Sequence, residues 1–375
     1  MENSVIDWNS GENSLFLNPR LPAGLKEKVE SSWEAATQQL RSHVGLLTSG
    51  SSGSAKLVLL SKAAMLNAAE GANTHLVSGR SDTWLKTLPH FHVGGLSIYA
   101  RAYLSGARVV THDGWDAKEV YDLSVKEKVT LISLVPAQLF DFISLGLSAP
   151  PTLRAAIIGG GALSPELYNQ ARALSWPVLP SYGLTECGSQ VATAAQDSYV
   201  RNDPTLKLLP HITAQVSIDG KLMLKSDALL TAYVNVETGE ESDPKFDGWF
   251  TTEDVAELKV RHLTVKGRSQ DFLKIGGESV DFAALEKVFA NLWQELGFKG
   301  DAAVLPVPDH RLGATVVLLV DGLRSDQVNP LVEKFNALVM PYERIRHTCN
   351  VPKIPRSELG KLLRSKAIEM YSELS

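Results

Sequence analysis

Only two cysteines, Cys187 and Cys349, occur in 375 residues. That excludes a disulfide framework or a cysteine-based zinc site, and both thiols are expected to be reduced, in the core or near a site, in a cytoplasmic protein. Positive charge is also in short supply: 37 Lys and Arg against 42 Asp and Glu give a net charge of −5. The whole-molecule field therefore attracts neither nucleic acid nor an anionic membrane, and an anionic ligand must be held by a local site. Long apolar runs are missing as well. The best, Ala314 to Val320, is strand-sized and falls well short of the ~18 residues of a spanning helix. Glu2, Asp7 and Glu12 precede the first basic residue, Arg20, which reverses the charge of a signal peptide's N-terminal region. With 28 Gly, 18 Pro and 44% hydrophobic residues, collagen-like, low-complexity and disordered chains are excluded too.

What is present is a chain long enough for two or three domains, at roughly 100 to 200 residues each. Between residues 45 and 200, short apolar runs alternate with helical patterns: LISLVP, a helical stretch, LRAAIIGGG, SPELYNQARAL and PVLPSYG. This order predicts a parallel sheet with crossover helices, with Ser164 as an N-cap and Pro165 at the first helical position. After about residue 205 the texture is antiparallel, with AQVSI and KLMLK flanking Asp219-Gly220 as a hairpin. A third texture begins near residue 270: a helix from Asp281 to about Leu296 stopped by Gly297, strands around 302 to 307 and 314 to 320, a helix after Pro330, and a terminal helix from about Ser357. The fold expected is α/β, a large N-terminal domain (1–269) of mixed layers with a β-rich part, and a small α+β domain (270–375).

The segment LLTSGSSGSAK carries Thr48, Ser49, Gly50, Ser51, Ser52, Gly53 and Lys56. Hydroxyls, backbone amides brought close by glycine and a lysine are what a polyphosphate requires. A Walker A loop needs Gly at 55 and Ser or Thr at 57, where Ala55 and Leu57 stand, so a P-loop NTPase is disfavoured. A flexible Ser/Gly linker remains open from this segment alone.

Four more segments follow in order: LPHFHVGG (88 to 95), SYGLTE (181 to 186), GWFTTED (248 to 254) with GRSQDFLKIGGE (267 to 278), and PRSELGK (355 to 361). Together with TSGSSGSAK they resemble the ordered signature of the adenylate-forming acyl-CoA synthetase superfamily. Within it, FHVGGLSIYARAYLSGARVV, TLISLVPAQL, IIGGGALSPEL and SYGLTECGSQV are most similar to o-succinylbenzoate-CoA ligases of menaquinone biosynthesis. Departures are Ala55-Lys56-Leu57 for the usual Pro-Lys-Gly, Thr252-Glu253-Asp254 for Thr-Gly-Asp, Gln270 at the hinge position, and a shortened N-terminal region before the phosphate loop.

The resemblance implies roles residue by residue. Lys361, on a C-terminal domain that rotates about Gln270, offsets repulsion between carboxylate and α-phosphate, with Mg²⁺ held near Glu186. Tyr182 stacks on adenine, with Gly159, Gly160 and Gly161 beside the other face of the base, and Gly183 belongs to the same nucleotide motif. Thr185 binds the α-phosphate, Asp254 accepts the ribose hydroxyls, and Arg268 adds a donor. His92 closes the acyl pocket and swings aside for pantetheine, and Gly276 and Gly277 lie on the CoA side. Arg101 and Ser189 are the acyl-substrate candidates. Taken singly, Lys361 reads as an exposed helix lysine, His92 as a core histidine and Arg101 as an arginine snorkelling to the surface.

The implied activity converts o-succinylbenzoate, ATP and CoA into the CoA thioester, AMP and pyrophosphate through an acyl-adenylate. An aryl- or short-acyl-CoA ligase of other acid specificity stays open, as does a noncatalytic nucleotide-binding relative. The expected partners are an aromatic acid, ATP with Mg²⁺, and CoA as a substrate, with no nucleic acid and no membrane; a homo-oligomer stays open.

Overall fold

The computed structural model describes residues 5–49, 55–161, 163–268, 272–298, 300–321, 325–356 and 362–374. They fall into two compact units, one ending with residue 268 and one beginning with residue 272.

In the first unit, Leu131–Leu134 and Ala155–Ile158 are buried at every position, as strands covered on both faces must be, and they pair in parallel. The parallel half of their sheet runs Arg108–Thr111, Thr83–Lys86, Leu131–Leu134, Ala155–Ile158, Val178–Leu184. Helices Val93–Ser105, Ala117–Lys126, Pro136–Ser144 and Pro165–Ala173 alternate with these strands along the chain. The Ser164 hydroxyl accepts from the Leu167 amide at 3.1 Å, with Pro165 at the first helical position. Leu134, Leu139, Phe142, Tyr168, Trp176 and Val178 share the core on which these elements close.

Val178–Leu184 is the pivot of the sheet. It is parallel to Ala155–Ile158 on one side and antiparallel to Ser189–Ala194 on the other. Beyond that the sheet continues antiparallel through Leu206–Leu208, His262–Arg268, Trp249–Lys259, Lys221–Lys225 and Thr213–Val216. The last two form the Asp219-Gly220 hairpin, closed by Ser217 N–H donating to the Lys221 carbonyl at 2.9 Å, with Gly220 at φ +81°. The connection is thus three residues with glycine in the left-handed position rather than a two-residue turn.

A second sheet takes the order Ser14–Phe16, His43–Ser49, Ala55–Ser61, Ala232–Asn235, Glu241–Ser242. Ile6, Trp8 and Phe16 are buried in one core with Val44, Leu46, Met65 and Leu96, so the first described residues are structural. Among the described residues no helix is long and apolar enough to cross a membrane.

The second unit is α+β. Its strands Asp301–Asp309, Gly313–Asp321 and Ile345–Val351 form one sheet, the last pairing in parallel, and Phe272–Ile275 with Glu278–Asp281 form a hairpin. Asp281 caps helix Phe282–Glu295 by accepting from the Ala284 amide at 3.0 Å, and Gly297 follows at φ +65°. Two sequence expectations fail here. The helix expected after Pro330 runs Ser325–Leu338 and contains the proline, which at the sixth position removes one hydrogen bond near the N-terminal end. The terminal helix is Arg364–Leu374 rather than from about Ser357. Arg356 and Leu362 pair as an antiparallel bridge and the Leu363 amide donates to the Pro355 carbonyl at 2.9 Å, so Leu362 and Leu363 stand outside the helix, and Ser357 lies outside the described residues.

Candidate functional site

In open α/β sheets the crevice at the carboxyl ends of the parallel strands receives ligands. Three of the predicted segments leave the sheet at that rim: His92 after Thr83–Lys86, Gly159 to Gly161 after Ala155–Ile158, and the SYGLTE stretch at the end of Val178–Leu184. His92 is the N-cap of helix Val93–Ser105, its carbonyl accepting from the Gly95 and Leu96 amides at 3.0 Å each. Gly95 is obligatory because a Cβ would lie 2.2 Å from the Pro89 carbonyl oxygen. The half-buried His92 ring lies 4.6 Å from that of Phe91, centroid to centroid. Gly160 sits at φ +76°, and the Gly159 amide donates to the Leu134 carbonyl at 3.0 Å, which keeps the glycine turn against the sheet edge.

Tyr182 and Asp254 come together, the phenol donating to Asp254 Oδ2 at 2.6 Å. Asp254 is 7% exposed and its amide donates to Thr252 Oγ1 at 3.1 Å. Arg268 is the strand partner of Asp254 in register. Gly183 marks a close approach of chains: a Cβ there would fall 2.2 Å from the Ser189 carbonyl oxygen, at the irregularity in the pairing of the two strands.

Thr185 and Glu186 lie in a single turn of 3₁₀ helix, Thr185–Cys187, closed by Gly188 at φ +62°. The Leu230 amide donates to the Glu186 carbonyl at 2.8 Å, and the Tyr233 hydroxyl donates to Glu186 Oε1 at the same distance. Lys56 lies with its ammonium 5.1 Å from the centroid of the Tyr233 ring. Thr48 faces Lys56 across the strand pair, its hydroxyl donating to the Lys56 carbonyl at 3.4 Å. The buried Cys187 thiol is pushed up to about 12 by burial and then by the Glu186 charge, so it is inert.

Arg101 does not snorkel. It is 2% exposed, and burial lowers it to about 10, which leaves it cationic at neutral pH. Its Nη2 donates to Ser189 Oγ at 3.2 Å, Ser97 donates to the same oxygen at 3.3 Å, and the guanidinium lies 5.3 Å from the Trp84 ring centroid. Arg101 Nε and Nη1, Trp84 Nε1 and Gln190 Oε1 are buried without a hydrogen-bond partner among the described residues. Ser189 is held at φ +128°, a conformation that costs a non-glycine residue on the order of 1–3 kcal/mol and clusters at functional sites. His211 is pushed down to about 4 by burial and then by the Arg101 charge.

The described residues thus gather Thr48, Lys56, Tyr182, Gly183, Thr185, Glu186 and Asp254 about the antiparallel side of the pivot strand, and Arg101 with Ser189 in a buried cluster next to it. Gly276 and Gly277, at φ +60° and +92°, form the two-residue turn of the hairpin in the second unit. Gly50, Ser51, Ser52, Gly53, Gln270 and Lys361 lie outside the described residues, as do the side chains of Ser49 and Arg268. Sequence reasoning missed Tyr233, Ser97, Gln190 and His211. Tyr233 alone had a readable signal: a polar-tipped aromatic on an alternating strand, LLTAYVN.

Among the described residues no three His, Cys, Asp or Glu side chains converge as a metal cluster. A lone carboxylate, Glu186, suits Mg²⁺, which takes one or two protein carboxylates and completes its shell with phosphate oxygens and water.

The pivot strand thus carries Tyr182 bonded to the buried Asp254, and a glycine turn follows the neighbouring strand Ala155–Ile158. The chain belongs to the AMP-binding enzyme family, whose profile matches residues 27–224. It is 27% identical over 331 residues to the 2-succinylbenzoate-CoA ligase of Listeria monocytogenes, covering 88% of this chain and 70% of that one. It is 25% identical to o-succinylbenzoate CoA synthetase from Bacillus subtilis in complex with the acyl-adenylate intermediate, with a TM-score of 0.58 over 86% of this chain and 68% of the other. The amide bond synthetase from Marinactinospora thermotolerans shares the fold, with a TM-score of 0.75 at 22% identity over 88% of this chain and 69% of that one.

Proposed function

We propose that this protein is an AMP-forming acid-CoA ligase that converts o-succinylbenzoate, ATP and CoA into o-succinylbenzoyl-CoA, AMP and pyrophosphate, a step of menaquinone biosynthesis. A carboxylate is a poor electrophile, so its oxygen first attacks the α-phosphorus, forming the acyl-phosphate bond as the bond to pyrophosphate breaks. The thiol of CoA then attacks the acyl carbon and AMP leaves.

The chain's residues supply what this needs. Tyr182 offers a ring face to adenine, and the carboxylate of Asp254, to which the Tyr182 hydroxyl donates, is the acceptor for the ribose hydroxyls. Lys56, Thr48 and the amides of the phosphate loop hold the polyphosphate, and Thr185 holds the α-phosphate. Bound Mg²⁺ would neutralise phosphate charge, with Glu186 as its protein ligand. Lys361 offsets the repulsion between the acid and the α-phosphate. His92 borders the acyl pocket.

The observation that carries the choice of acid is Arg101. A guanidinium that is 2% exposed, with two nitrogens that have no hydrogen-bond partner among the described residues, is costly unless an anion pairs with it. o-Succinylbenzoate carries a second carboxylate that is never activated, and a planar fork matches it in bidentate geometry. Ser189 and Ser97 fix the arginine in place. The test is incubation with o-succinylbenzoate, ATP, Mg²⁺ and CoA, with products identified by mass. Formation of AMP and the aromatic thioester in equal amounts is expected; ADP in place of AMP, or no thioester, would refute the assignment.

A further inference from the structure

Tyr233 belongs to none of the motifs that point to nucleotide binding, yet it touches two residues that do. Its strand Ala232–Asn235 runs antiparallel to Ala55–Ser61, with Tyr233 opposite Val58 and Asn235 opposite Lys56. Tyr233 and Lys56 are therefore diagonal neighbours on one face, which is how the ammonium comes to lie 5.1 Å from the ring centroid. At the same time the phenol donates to Glu186 Oε1 at 2.8 Å. The backbone of the two segments is joined as well, through the Leu230 amide and the Glu186 carbonyl at 2.8 Å. Both ends of the contact are thus fixed by main-chain pairing, and Oε2 of Glu186 makes no hydrogen bond among the described residues.

We propose that Tyr233 is a positioning residue for the metal-nucleotide complex: its hydroxyl engages one oxygen of Glu186 and leaves the other for the ion, while its ring face holds Lys56 for the polyphosphate. The inference rests on the ligase reading, since it takes Glu186 and Lys56 as the groups that meet Mg²⁺ and phosphate. A merely structural tyrosine would stabilise the two strands without distinguishing metal-bound from metal-free nucleotide. A positioning tyrosine makes that distinction through its hydroxyl alone.

The test is calorimetric binding of α,β-methylene ATP, with Mg²⁺ and with EDTA, to the wild type, Y233F, E186Q and the double variant. Hydrogen bonds to charged groups contribute enough that Y233F is expected to weaken the Mg²⁺ complex about tenfold, while changing binding in EDTA by less than about twofold. In the E186Q background, Y233F is expected to add little, because both changes remove one interaction. Y233L, which also removes the ring from Lys56, should weaken both forms by a further factor of about three. Equal losses with and without Mg²⁺, or additive losses in the double variant, would overturn the proposal. If Y233F does not fold, Y233M, which also lacks the hydroxyl, takes its place: a loss with Mg²⁺ that exceeds the loss in EDTA supports the proposal, and equal losses overturn it. A wild type that binds no nucleotide under either condition would instead overturn the ligase reading itself.

Discussion

The Tyr182 hydroxyl donates to Asp254 Oδ2 across 2.6 Å, tying the pivot strand of the sheet to the strand Trp249–Lys259. The hydroxyl orients the aspartate, while the ring is what adenine would stack on. The ring and the hydroxyl are therefore separable. Tyr182→Phe should keep ATP affinity within about threefold, whereas Tyr182→Ala, which removes the stacking face, should cost about tenfold. Asp254→Ala should cost more than either, since a hydrogen-bonded charge is lost. Titration of ATP binding in the three variants checks the order; Tyr182→Phe as damaging as Tyr182→Ala would show that the hydroxyl, and not the ring, is what nucleotide binding uses.

Arg101 sets stability against function. Replacing a buried, incompletely paired cation with a hydrophobic residue of similar volume is often neutral or stabilising. Arg101→Met is thus expected to keep or raise the denaturation midpoint while weakening use of o-succinylbenzoate about ten- to a hundredfold, with ATP affinity nearly unchanged. A midpoint that falls sharply, together with equal activity losses on monocarboxylic and dicarboxylic acids, would make Arg101 a structural residue.

His211 gives stability a pH dependence. Burial, followed by the Arg101 charge, lowers its folded value to about 4, below the unfolded 6.5. The unfolded chain then binds a proton that the folded one does not. The contribution is complete above about pH 6.5 and is lost as pH falls toward 4, amounting to about 3 kcal/mol or less. Asp82 acts in the same direction at lower pH: burial raises it, but bonds from Arg154, Thr130 and the Gly79 amide, with the Arg154 charge, outweigh that and hold it below the usual range. Urea unfolding at pH 7.5 and 5.0 should show the loss in the wild type, and His211→Asn should flatten the slope. An unchanged slope would assign the dependence to other groups.

Gly183 should tolerate no side chain. A Cβ would meet the Ser189 carbonyl at 2.2 Å, and backbone on both sides cannot give way cheaply. Gly183→Ala is expected to destabilise the chain by about 2 kcal/mol in chemical denaturation and to disturb the adjoining Thr185–Cys187 turn. A variant as stable as the wild type would mean that the two strands can separate there without loss.

The parallel half of the fold was legible because Leu131–Leu134 and Ala155–Ile158 are buried at every position and read as unbroken apolar runs, with Ser164 and Pro165 announcing a helix. The pivot at Val178–Leu184 was not, since its first three residues pair in parallel with one neighbour and its last four antiparallel with the other, and nothing local specifies the change. Pro330 misled because its rule concerns helix interiors, and one missing bond near an end is tolerated. Among the candidate site residues, Tyr182 and Asp254 stood in motifs that could be read from the sequence, and the structure brings them together. Tyr233 and His211 did not, because their contacts to Glu186 and to the surroundings of Arg101 join segments far apart in sequence.

ATP-pyrophosphate exchange over a panel of acids shows whether an acid with a second carboxylate is the one adenylated here. Exchange is expected to require an acid and to be about ten- to a hundredfold faster with o-succinylbenzoate than with benzoate-like monocarboxylic acids, a preference that Arg101→Met abolishes. Exchange that proceeds equally well with monocarboxylic acids, or a preference that survives Arg101→Met, would contradict it.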